Sequence, residues 1–214
     1  MGILTHVHSN PDEPDFRSPL YQEMAVKWAL IHALLGGTLA MQDEGTTYLP
    51  KEEGEEAGDY NARLCRTVLV NGFGKTIEQL TSRPFQEAVK LRGMEELEGE
   101  DAHEFLSMIE NDVDRTGKDL TSFAEEVMHA ALVYGWTTCL VDMPNMEGAT
   151  LKDRRDKKLR PTFVHIEPPQ LLGFRVEKQQ DGTERLTMLR YMEEVEVPDG
   201  KYGTKRIRSV RIYT

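Results

Sequence analysis

Apolar residues recur at helical spacing in the first two thirds of the chain and at alternating spacing near its end. Ser18-Pro19 reads as an N-cap followed by a first-turn proline. Leu20, Met24, Trp28, Ile31 and Leu35 then fall on one stripe, which predicts an amphipathic helix weakened or ended by Gly36-Gly37. Residues 42–58 carry no period and read as a loop. Asp59 is expected to cap a second helix, with Tyr60, Leu64 and Val68 on one face and Arg63 and Arg66 beside it. Asn71-Gly72-Phe73-Gly74 interrupts that pattern. Thr76 and Gln79 then have capping-box spacing for a further turn or two, ended by Arg83-Pro84. Residues 86–111 are acidic and weakly patterned, with Phe105, Met108 and Ile109 suggesting a short helix. A clear helix starts at about Asp119, with Leu120, Phe123, Val127, Ala130, Ala131 and Tyr134 on its apolar face and Gly135 at its end.

Trp136 to Val141 reads as a buried strand closed by Asp142-Met143-Pro144. After a charged loop, Thr162 to Ile166 is a second strand. Phe174 to Glu177 and Leu186 to Tyr191 form a hairpin that turns near Asp181-Gly182. Val195-Glu196-Val197 leads to a turn at Pro198-Asp199-Gly200, and Ile207 to Tyr213 alternates as a last strand. The expected fold class is α+β, a helical N-terminal half followed by a mostly antiparallel β-rich region. Its parts are an irregular arm (1–19), a helical part (20–144), a charged loop (145–159) and a β-rich part (160–214). The last strand carries no cap or polar tail, so a longer parent chain is expected.

Composition narrows the function classes. The 214 residues carry 37 acidic and 26 basic side chains, a formal charge of −11. A free-standing nucleic-acid reader normally has the opposite sign, because phosphate contacts need clustered Lys and Arg. The basic cluster Lys152, Arg154, Arg155, Lys157 and Lys158 is interrupted by Asp153 and Asp156 and reads as a solvated loop. The acidic run Glu52, Glu53, Glu55 and Glu56 reads as a solvated surface segment. Cys65 and Cys139 form no CxxC pair and are expected to be buried, reduced thiols, which fits a cytosolic site of synthesis. No signal peptide is evident: residues 1–19 are polar and contain Pro11, Pro14 and Pro19. The longest apolar stretch, Trp28 to Leu35, is broken by His32 and is well short of the roughly 20 residues of a spanning helix, so a soluble protein is expected.

Candidate chemistry is sparse. Gly74-Lys75-Thr76 ends like a phosphate-binding loop, but Leu69 stands where the first glycine belongs, and a helix rather than a strand precedes it. Asp112, Asp114, Thr116 and Gly117 match the start of a calcium loop, but Phe123 occupies the position of its bidentate carboxylate. His6 and His8 lie in the arm, His129 has no HExxH partner, and His165 alternates with Phe163 in a strand. No GxSxG is present, and no Cys/His/Asp grouping follows from spacing. No catalytic, cofactor-binding or metal-ligating residue is therefore nominated, no cofactor is expected, and the protein is not expected to be an enzyme.

The order of segments carries a further signal. Tyr21-Gln22-Glu23-Met24-Ala25-Val26-Lys27-Trp28 opens the first helix, and Tyr48-Leu49-Pro50-Lys51 follows. Then come Tyr60-x-x-Arg63-Leu64-x-Arg66-Thr67, Asn111 to Gly117, Leu120-x-x-Phe123-Ala124, Gly135, and Leu140-Val141-Asp142-Met143-Pro144. Arg160-Pro161-Thr162-Phe163 precedes the β-rich region. This succession, over most of residues 20–213, resembles the portal or portal-like proteins of tailed bacteriophages, in their amino-terminal, wing-like region. The resemblance implies a virion structural protein, a homo-oligomeric ring (usually dodecameric) at one capsid vertex. Such a ring conducts double-stranded DNA transiently during packaging and ejection. Its implied partners are the terminase motor, connector and capsid proteins, met mostly through regions beyond residue 214, with no membrane involved. Synthesis would be in the host cytoplasm. The resemblance carries over no catalytic residues. A non-enzymatic interaction or scaffold domain of another phage or bacterial complex is the alternative reading, followed by a hydrolase with a dispersed site.

Overall fold

The computed structural model describes residues 10–91, 100–143 and 160–214. The expected charged loop 145–159, with its basic cluster, lies outside the described residues, as do His6, His8, Pro144 and residues 92–99 of the acidic stretch. Among the described residues six α-helices precede five strands, and every strand pairing is antiparallel. The fold is α+β. The strands form two sheets rather than one, of orders β1-β2 and β3-β4-β5. The chain divides into two compact units, Met1–Gly74 with Glu167–Thr214, and Lys75–Ile166.

In the first unit, residues 10–18 of the expected irregular arm are tied to the sheet. The Arg190 guanidinium donates to the Pro14 carbonyl at 2.9 Å, and the Ser18 amide donates to Leu172 O at 2.9 Å. Ser18 caps α1 (Pro19–Leu35), its hydroxyl accepting from the Tyr21 amide at 3.2 Å. The buried stripe of α1 is Tyr21, Trp28 and Ala33, while Leu20 is half exposed. The expected stripe is thus rotated, because Tyr21 finds a buried acceptor. Its hydroxyl donates to Pro169 O at 3.2 Å, and its ring meets Trp28 edge-on at 5.1 Å.

Gly36 ends α1, and Gly37, at φ +72°, starts α2 (Gly37–Asp43) in a conformation that a side chain would strain. α2 and a 3₁₀ turn at Gly45–Thr47 occupy part of the stretch expected to be loop. Both are too short to display a period. α3 (Ala57–Arg66) starts two residues before the expected cap, so Asp59 lies in its first turn, where a carboxylate complements the helix dipole. Val68 lies beyond α3 and is 72% exposed, so it is not part of the helix face expected of it. The Thr67 hydroxyl donates to Arg63 O, and the chain leaves the helix extended.

Asn71, not Thr76, starts the next helix, α4 (Gly72–Ser82). Its side-chain oxygen accepts from the Gly74 amide at 2.8 Å, while its amide nitrogen donates to Leu34 O at 2.8 Å. In the second unit α5 (Glu100–Asn111) buries Ile109. α6 (Leu120–Tyr134) is capped as expected, Asp119 accepting from the Ser122 amide at 2.9 Å. Gly135 closes it at φ +85°, a left-handed position that favours glycine. Phe123, Ala130, Val133 and Tyr134 form its buried face. β1 (Thr138–Asp142) pairs with β2 (Thr162–Ile166), and Phe163 and His165 meet the Phe123 ring edge-on at 6.2 and 6.4 Å. β1 is not the buried strand expected: Cys139 and Val141 share one face of it and are exposed, while Leu140 on the opposite face is half buried.

The sheet of the first unit comprises β3 (Leu171–Lys178), β4 (Glu184–Asp199) and β5 (Gly203–Tyr213). The expected hairpin turn at Asp181-Gly182 joins β3 to β4. β4 fuses two segments expected to be separate. It also includes Pro198, so the second turn falls one to two residues later, at Gly200, Lys201 and Tyr202. Leu171, Leu172, Leu189 and Tyr191 are buried at one end of this sheet.

Candidate functional surface

The phosphate-loop look-alike is helical. Gly74, Lys75 and Thr76 are inside α4, and the Gly74 amide is already engaged by Asn71. The calcium-loop look-alike is closed by the protein's own cations. Asp114 accepts from the Thr116 amide and hydroxyl at 2.9 and 2.8 Å, and Asp112 accepts from the Gly117 amide at 2.8 Å. The Arg160 guanidinium reaches Asp112 Oδ2 at 2.9 Å and also donates to the backbone carbonyls of Asp112 and Val113. Arg160 is 5% exposed, so this guanidinium is a structural plug. Lys118 lies 3.8 Å from Asp114 and 2.7 Å from Glu126. The hydrogen bonds from Thr116 and the nearby Lys118 hold the Asp114 carboxyl below the usual range against a desolvation that opposes them.

His165 shares a 2.8 Å hydrogen bond with the Thr137 hydroxyl, and Cys139 is its cross-strand partner. Both cysteines are exposed, contrary to the expectation of buried thiols. The apolar residues around Cys139 in sequence belong to alternating faces of β1, which a run of hydrophobic letters does not reveal. Partial burial nevertheless pushes the Cys139 thiol up, away from the reactive thiolate. Among the described residues no group of three or more His, Cys, Asp or Glu side chains is placed to hold a metal ion. No helix there is long and apolar enough to cross a membrane.

Surface features stand out instead, all in the unit Met1–Gly74 with Glu167–Thr214. β4 and β5 extend as a ribbon laced by ion pairs. Glu193 meets Arg211 at 2.7 Å, Glu194 meets Arg208 at 2.7 Å, and Asp199 meets Lys205 at 3.6 Å. Val195 and Ile207 are direct partners on one face of this ribbon and are each about 40% exposed (42% and 44%). Phe174, Val176, Leu186 and Ile212 are also half exposed. At the ribbon's root Tyr191 stacks on Tyr213 at 6.2 Å, and burial with the Tyr213 hydroxyl raises the Tyr191 phenol above its ordinary value. The Tyr202 ring at the tip is 89% exposed, with Lys201 5.0 Å from its centre.

The second feature is a cleft of about 150 Å³ between α2 and the extended stretch after α3. Met41, Tyr48, Leu49, Leu64 and Val68 line it. The Gln42 amide holds its floor by donating to the carbonyls of Leu64 and Thr67 at 3.0 and 2.9 Å. Beside it Arg63 grips Glu55 through two bonds of 2.8 Å and donates to Pro50 O at 2.9 Å, fixing the acidic stretch that follows Leu49. Sequence reading missed this cleft, because its walls come from a helix too short to show a period and from residues read as loop or helix face. The apolar run Val68-Leu69-Val70 outside any helix was the available signal.

Comparison of the sequence with protein-family models and with curated proteins finds no match.

Proposed function

We propose that this chain is a structural subunit of a tailed-phage portal ring, its 214 residues forming a wing-like region of the conduit for DNA at one capsid vertex. The observation that carries the reading is the ordered set of segments from Tyr21-Gln22-Glu23-Met24 to Arg160-Pro161-Thr162-Phe163. Physical features support it. A closed ring needs two different, complementary surfaces on each subunit. An apolar cleft beside an acidic stretch, and a projecting ribbon with half-exposed Val195, Ile207 and Phe174, are surfaces of that kind. A net charge of −11 suits a wall past which DNA slides without sticking. Terminase, connector and capsid proteins would be its partners in the virion. An interaction domain of another phage complex would use the same surfaces but would not close a ring.

Light scattering after size exclusion tests the reading on the full gene product. A mass that is one large integer multiple of the subunit, near twelve, is the expected result. A monomer or a stable dimer as the only species would overturn it.

A further inference from the structure

We propose that the tip of the β4–β5 ribbon of one copy docks in the α2–α3 cleft of the next copy, with Tyr202 as the anchor. This contact rests on the ring reading. Both halves lie within the unit Met1–Gly74 with Glu167–Thr214. Tyr202 is 89% exposed at a turn held rigid between two paired strands, the setting in which a tyrosine serves best as a binding anchor. The cleft, at about 150 Å³, is open and apolar, and a cavity of roughly that size accepts a benzene ring.

Charge selects the occupant. Residues 200–214 contain Lys201, Lys205, Arg206, Arg208 and Arg211 and no acidic residue. Lys205, Arg208 and Arg211 are engaged by β4 and Lys201 lies over the Tyr202 ring, so the tip presents a tyrosine with its own cation above it, and Arg206, four residues along β5, is engaged by no ion pair among the described residues. Around the cleft, residues 43–59 contain Asp43, Glu44, Glu52, Glu53, Glu55, Glu56 and Asp59 against Lys51 alone. Arg63 takes Glu55. Among the described residues no ion pair engages Asp43, Glu44, Glu53 or Glu56, and none joins this rim to the ribbon tip. A tyrosine carried by a basic turn and strand, and an apolar cleft whose Tyr48 and Leu49 belong to an acidic stretch of chain, are complementary surfaces on different parts of one subunit. Such a pair is heterologous and propagates head to tail rather than closing a two-fold dimer.

Directed cross-linking tests the contact. In a full gene product with Cys65→Ser and Cys139→Ser, one preparation carries Val68→Cys in the cleft wall and the other carries Thr204→Cys beside the tip. A mild oxidant is added to each alone and to the mixture. The proposal expects a disulfide-linked heterodimer in the mixture, at least tenfold above the homodimers of either preparation alone. Its yield should fall several-fold on raising the salt from 0.05 to 0.5 M. Tyr202→Ala in the Thr204→Cys copy should lower the yield at least tenfold. Lys201→Glu with Arg206→Glu should do the same, with recovery when the partner carries Glu53→Lys and Glu56→Lys. Negative-stain rings without the heterodimer would overturn this contact and leave the ring reading intact. Absence of both rings and heterodimer would overturn both. Homodimers equal to the heterodimer would mean random collision and would also overturn the contact.

Discussion

At the scale of single residues, polar side chains decide what apolar spacing leaves open. Tyr21 displaces Leu20 from the buried stripe of α1 because its hydroxyl has the Pro169 carbonyl to meet inside the first unit. Asn71 starts α4 because it reaches both the Gly74 amide and the Leu34 carbonyl, a partner 37 residues away that no local pattern could reveal. Ser18, Asp119 and Gly135 were legible because capping acts over three or four residues. Glu55 is a clear case for measurement. Its hydrogen bonds to Arg63 lower the carboxyl to about 2. A depressed folded-state pKa means that the stabilisation is complete above the ordinary carboxylate range and is lost as pH falls toward that folded value. The melting temperature of the native protein should therefore exceed that of Glu55→Gln at pH 6, and most of the gap should be lost as pH falls from about 4.5 toward about 2. A gap independent of pH would mean that the Arg63 pair contributes nothing through ionisation.

At the scale of elements, long helices and alternating strands were readable and short or edge elements were not. α6 and the β3–β4 turn matched the sequence pattern, because 15 residues of helix and a Gly turn between strands carry strong local signals. α2, with seven residues, spans barely two turns and shows no period. β1 read as buried because Cys139, Leu140 and Val141 are all apolar, yet its pattern of burial alternates. β4 was split in two by its charged residues, which in the fold pair across to β5. The capping argument for α6 makes a prediction at this scale. Asp119→Ala removes the acceptor for the Ser122 amide and hydroxyl and should cost about 1 kcal/mol in urea unfolding followed by circular dichroism. No change in the midpoint would mean that the helix end is held by its tertiary contacts alone.

At the scale of the whole molecule, the α+β class was legible and the grouping of strands was not. Two antiparallel sheets in two compact units take the place of one continuous β-rich region, since strand periodicity does not say which strand is whose neighbour. The cleft was hidden, because it depends on chain segments brought together only by folding, whereas the ribbon's turn lies within one to two residues of its expected place. The proposed ring reading rests on the order of segments and a charge of −11, both read from the sequence. Negative-stain images of the full gene product test that claim most directly. The account predicts closed rings of uniform size with a central hole wide enough for duplex DNA. Single globular particles, or open chains that never close, would contradict it.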